Sequence, residues 1–110
     1  MDDLLVQSKK VLNSAEIVYK TGDYTSATIL YFKALFMLLD SIILKSQGKS
    51  PKDHTERFRV LEKNFSDLYL ILDKYYQVYR NTYTVSISKE ICEEVHGAVK
   101  LVVEKYKIKF

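Results

Sequence analysis

The chain has 110 residues, 47% of them hydrophobic and 28% charged, with a net charge of +3. That length suits one domain, residues 1–110, with a core of its own, and the balance is not that of a disordered chain. The single cysteine, Cys92, excludes an internal disulfide framework and leaves a cysteine-rich zinc site without ligands, while the weak positive charge permits an acidic partner without requiring one.

Three glycines and one proline predict long uninterrupted helices. A first helix is expected from about Asp3 to Thr21, where Leu4, Val11, Leu12, Ala15, Val18 and Tyr19 recur at three-, four- and seven-residue steps. Gly22 supplies a left-handed stop and Asp23 an N-cap for the next helix, so the first two helices form an antiparallel hairpin. The second, about Tyr24 to Gln47, is apolar nearly all round. Ala27, Leu30, Tyr31, Ala34, Leu35, Leu38 and Ile42 form one face; Ile29, Phe32, Phe36, Leu39 and Ile43 form another. Both faces need cover, and a small domain has few neighbours to give it, so one side is expected to meet a second subunit.

Ala27 to Leu44 also approaches the roughly 20 apolar residues of a membrane span. Lys33 and Asp40 interrupt it, and each central charge costs roughly 2.5–3.5 kcal/mol on insertion, so a buried core helix is the better reading and no membrane partner is expected. The N-terminus opens on Asp2 and Asp3 rather than a basic run before an apolar core, and a cytoplasmic location is expected.

Gln47 to Pro51 reads as an exposed loop, followed by a short helix from His54 to Asn64 with a capping pair at Asp53 and Glu56. A tyrosine-rich helix is expected over Ser66 to Thr82. Leu68, Leu72, Tyr75, Tyr79 and Tyr83 line one face, and Tyr69, Tyr76 and Arg80 a neighbouring one. Thr84 to Ile87 is a β-prone interruption that reads as a loop. Ser88 then caps a last helix to about Ile108, with Ile91, Val95, Ala98, Val99, Val102 and Tyr106 as its buried stripe. The fold class is therefore all-α: an up-and-down bundle of about five helices, with a four-helix core and one short helix.

Gly22-Asp23-Tyr24, then Ala27, Tyr31-Phe32-Lys33-Ala34-Leu35-Phe36 and Leu38-Leu39, then Ser50-Pro51-Lys52-Asp53-His54, and finally Tyr79-Arg80-Asn81 form an ordered series. In order, spacing and total length this series resembles the HEPN domain in its short stand-alone prokaryotic form. The resemblance implies a helical bundle that dimerises along its central helices, here the second helix and the tyrosine-rich one. It further implies a role as an RNA-cleaving toxin paired with a minimal nucleotidyltransferase as antitoxin. The family's active-site motif is an arginine, usually followed by a polar residue, with a histidine four to six residues on, and its chemistry needs no metal or other cofactor. Arg80-Asn81 fits the start of that motif, but the histidine window reads Thr84, Val85, Ser86 and Ile87, none an efficient base at neutral pH.

Among individual residues, Arg80 faces either a carboxylate such as Asp40 or Asp73, or a phosphate for which its fork is suited. Asn81, Tyr76, Tyr83 and Tyr31 are the companions expected at a nucleotide or RNA surface, against packing and interface roles for the tyrosines. His54 is either a surface or capping residue or an atypical base. Cys92 reads as a buried thiol and His96 as a satisfied, partly buried histidine, with too few neighbours to make a metal site. Three functions remain open. One is a dimeric HEPN module without the ribonuclease histidine, which binds a nucleotide or RNA or partners a nucleotidyltransferase. The others are a toxin ribonuclease with an atypical site centred on Arg80, and a structural helical adaptor. The missing histidine favours the first, a non-catalytic module.

Overall fold

The computed structural model describes residues 3–110. Five helices follow in chain order: α1 Asp3–Lys20, α2 Tyr24–Gln47, α3 His54–Asn64, α4 Ser66–Asn81 and α5 Lys89–Lys105. The caps explain the boundaries. Gly22 stands at φ 87°, in the left-handed region open to glycine, and Asp23 accepts a hydrogen bond from the Ser26 amide at 3.0 Å. Gly48 ends α2 at φ 81°. Asp53 accepts from the Glu56 amide at 2.8 Å to start α3, and Ser88 from the Ile91 amide at 3.2 Å to start α5.

The last helix stops short of the expected Ile108. Lys107 takes φ 50°, the Lys107 amide donates to the Glu104 carbonyl, and the Ile108 amide donates to the Val103 carbonyl at 2.9 Å. This is a Schellman closure with lysine at the left-handed position where glycine is usual. It terminates α5 three residues early while Tyr106 and Ile108 still pack on the core.

α2 is the axis of the bundle. Ala27, Tyr31, Phe32, Ala34, Leu35 and Leu38 are fully buried, and Leu39 and Ile43 almost so. α1 and α5 cover the Tyr31 side: the Tyr31 ring stacks on His96 of α5 at 4.4 Å, and its hydroxyl donates to Glu16 of α1 at 3.0 Å. α3 and α4 cover the other side, where Phe32 and Phe36 meet the Tyr79 ring at 5.3 and 5.0 Å. Within the chain, α1 and α5 on one side and α3 and α4 on the other thus cover most of both apolar faces of α2. Ile29, on the second face, is the one large apolar α2 side chain classed as exposed among the described residues. α2 is long and apolar enough to cross a membrane by composition, but 61% of its most apolar window is buried inside the bundle.

The loop from Gly48 to Asp53 carries the chain back along α2, so α3 begins beside Phe36 rather than beyond the end of α2. His54 packs edge-on to Phe36 at 4.9 Å, and Arg57 reaches Asp40 one turn further along both helices. α4 then returns antiparallel to α3, with Phe58 against Tyr69 and Tyr76, and His54 against Tyr76 and Tyr79.

Candidate functional site

The antiparallel α3–α4 pair brings the N-terminus of α3 to the C-terminus of α4. This end carries five of the six residues singled out in the sequence: His54, Tyr76, Arg80, Asn81 and Tyr83. Rings from three helices knit it together. His54 lies 5.8 Å from the Tyr76 ring centroid and 5.6 Å from that of Tyr79, and Tyr76 and Tyr79 are 5.5 Å apart. Tyr83 extends the series outward, 5.7 Å from Tyr79, and the two hydroxyls are hydrogen bonded at 2.9 Å. Tyr83 is 71% exposed, so an aromatic ladder runs from the core at Phe32 to open solvent.

Arg80 is exposed at the last turn of α4 and has neither an ion pair nor a side-chain hydrogen bond among the described residues. The sequence offered Asp40 or Asp73 as its partner; Asp73 forms no ion pair with Arg80, and Asp40 is taken by Arg57. The Arg57 guanidinium grips that carboxylate with both prongs, Nε to Oδ1 at 2.6 Å and Nη2 to Oδ2 at 2.8 Å, and lies 4.7 Å over the Phe36 ring. With 7% of its surface exposed, Arg57 is a buried cation satisfied by a half-buried anion. Helical spacing carries the missed signal. Arg57 is four residues before Leu61, which is fully buried, so it had to lie on the inner face of α3.

Arg57 also meets His54, its Nη1 at 2.5 Å from Nδ1. Burial and the adjacent guanidinium hold the imidazole below its ordinary value, against the opposing pull of Asp40 and Asp53. His54 is thus neither the helix cap, a role filled by Asp53, nor a free surface residue. The Tyr79 hydroxyl is pushed up to about 12, first by its hydrogen bond with Tyr83 and then by burial, so it stays protonated at neutral pH. Asn81 accepts from the Gln77 side chain at 3.0 Å, and its carbonyl takes the amides of Thr84 and Val85 to begin the α4–α5 loop. That loop, 82–88, is tied to the start of α2 where the Ile87 amide donates to Thr25 Oγ1 at 2.8 Å. Of the four residues in the histidine window, Thr84, Val85 and Ser86 are exposed and Ile87 is buried.

Tyr31 does not join this surface. It is fully buried on the opposite face of α2, in a separate polar cluster where His96 Nε2 lies 2.9 Å from Glu16. Its hydroxyl is raised by burial and by Glu16. The heptad pattern identifies Tyr31 as inward-facing, but it cannot say which helices stand there. His96 is the partly buried, satisfied histidine expected, and burial raises the thiol of the buried Cys92. A cleft of about 520 Å³ lined by Leu5, Ser41, Lys45, Tyr106 and Lys109 among others takes no residue from α3 or α4.

A small helical bundle with an exposed arginine and a half-buried asparagine at the end of its tyrosine-rich helix is the class that fold and site define. The family model for the HEPN domain matches residues 1–109, and the chain belongs to that family. No curated protein and no solved structure matched it.

Proposed function

We propose that this chain is a HEPN module lacking the usual ribonuclease histidine, which binds a nucleotide or RNA phosphate at the Arg80–Asn81 end. In this reading the chain works as a homodimer and partners a minimal nucleotidyltransferase in a toxin–antitoxin-like pair. One observation carries the binding role: an exposed guanidinium with no carboxylate partner among the described residues, at a helix end that also carries Asn81 and the exposed ring of Tyr83. A cation left unpaired in this way suits a phosphate, and a ring beside it offers a base a stacking face.

The dimer of this reading would use apolar surface left uncovered at this end of the bundle. Ile29 is 39% exposed and Val85 54%, and with Tyr83 they give apolar surface along the α4–α5 loop and the first turns of α2. A two-fold axis there would set two Arg80 side chains across one groove.

A ribonuclease with His54 or a tyrosine as its base is less well supported. His54 already receives the Arg57 guanidinium at Nδ1, and the Tyr79 phenol is held protonated. The test is incubation of the purified protein and its Arg80→Ala variant with labelled RNA. Binding without cleavage, lost in the variant, is the expected result. Cleavage abolished by Arg80→Ala would establish the ribonuclease instead, and no binding by either protein would leave the adaptor role.

A further inference from the structure

We infer that Arg57, anchored by Asp40, is a positioning residue that holds His54 as the neutral Nε2–H tautomer and so makes its outer edge a hydrogen-bond donor to a phosphate at the Arg80 end. The ligand half of this inference rests on the binding reading given above; the tautomer half stands on geometry alone.

A guanidinium has donors and no acceptor, so the nitrogen 2.5 Å from Arg57 Nη1 must offer a lone pair. That nitrogen is Nδ1. Nδ1 is then unprotonated, and a neutral imidazole must carry its hydrogen on Nε2. Arg57 cannot turn away, because two of its nitrogens are bound to Asp40 and its plane lies over Phe36. The ring of His54 is fixed from its other sides by Phe36, Tyr76 and Tyr79. The charged groups facing the imidazole are Arg57, Asp40 and Asp53; burial and the Arg57 guanidinium outweigh the opposing pull of the two carboxylates and keep it neutral to lower pH than a free histidine.

The Nε2 edge reaches solvent. It has no protein partner among the described residues, and no buried side-chain nitrogen or oxygen among them is left unsatisfied. Tyr76 is the bridge to Arg80. It touches His54, and it lies one helical turn before Arg80 on the same face of α4. A fixed N–H and an unpaired guanidinium therefore flank one tyrosine, a pair of donors suited to phosphate oxygens. A histidine so held donates; it does not accept a proton from a ribose hydroxyl through Nε2. The Asp40–Arg57–His54 series thus accounts for a site that holds phosphate without cleaving it.

The test is long-range ¹H–¹⁵N NMR on protein labelled at histidine and arginine, with adenosine monophosphate and a short oligoadenylate as probes. Between pH 7 and 8 His54 is expected to show an unprotonated Nδ1 and a protonated Nε2. A protonated Nδ1 would overturn the tautomer assignment. Both probes are expected to shift the Nε2 signal of His54 and the Nε signal of Arg80. His54→Phe, which keeps the ring packing and loses the donor, should weaken both by about tenfold. Asp40→Leu/Arg57→Met, which removes the anchor without stranding a charge, should weaken them too and mix the tautomers. Binding that depends on Arg80 but is unchanged in His54→Phe would overturn this inference alone. Absence of binding by the native protein would overturn both it and the binding reading. A response to the oligonucleotide but not the mononucleotide would keep the inference and identify RNA as the source of the phosphate.

Discussion

Arg57 and Asp40 form the one arginine–carboxylate ion pair among the described residues, and each is the other's charge partner. Removing one half strands a charge in a site where side-chain exposure is 9% for Arg57 and 13% for Asp40. Arg57→Met is therefore expected to cost about 3–5 kcal/mol, with most of it recovered in Asp40→Leu/Arg57→Met. A double-mutant cycle by urea unfolding checks this, and additive losses would refute the coupling. The two histidines give a second expectation. Burial lowers both His54 and His96 from their ordinary value of 6.5. A depressed histidine takes up its proton more readily unfolded than folded, so stability falls as pH drops through about 6.5 and levels off below the folded value. Unfolding free energies at pH 8 and pH 5.5 should show the loss, and His54→Gln/His96→Gln should flatten it over that window.

At the scale of elements, local chemistry made the helices readable. Gly22 and Asp23, Asp53 and Ser88 are chain breaks and caps whose partners lie within three residues, and α2 and α3 begin and end where that chemistry predicts. Where the structure adds to that reading, either a backbone conformation the residue type does not announce or a contact distant in sequence decides. The end of α5 depends on a left-handed lysine that composition does not mark. Two apolar faces of α2 were legible, but not that α3 folds back to cover one of them, since that depends on where the 48–53 loop delivers the chain. The same limit placed Tyr31 with Arg80 and missed Arg57, because periodicity gives the face a residue occupies and not the neighbour that meets it. Lys107 supplies the test at this scale. A non-glycine residue in the left-handed region costs roughly 1–2 kcal/mol, partly offset by the greater freedom glycine has when unfolded. Lys107→Gly is expected to stabilise the protein by up to about 1 kcal/mol in thermal or urea unfolding. A loss of stability would mean that the closure is not the one described.

At the scale of the whole molecule, the bundle divides its labour between the two sides of α2. The side toward α1 and α5 is a closed core with Tyr31, Glu16 and His96 satisfied internally. The side toward α3 and α4 leads by an aromatic ladder to an open end where Arg80 has no ion pair among the described residues. If that end also meets a second copy, light scattering should give twice the 12.9 kDa protomer mass, and Tyr83→Ser/Val85→Ser should reduce it toward the protomer value. A native protein that is monomeric throughout would remove the shared groove. Binding at the Arg80 end is the central claim, and a salt titration of oligoadenylate affinity tests it most directly. Loss of one phosphate contact should weaken binding and lower the slope of log affinity against log salt by about 1. Arg80→Ala is predicted to do both while the RNA stays intact in native and variant samples alike. Equal affinity and slope in the two proteins, or cleavage of the RNA by the native one, would contradict the account.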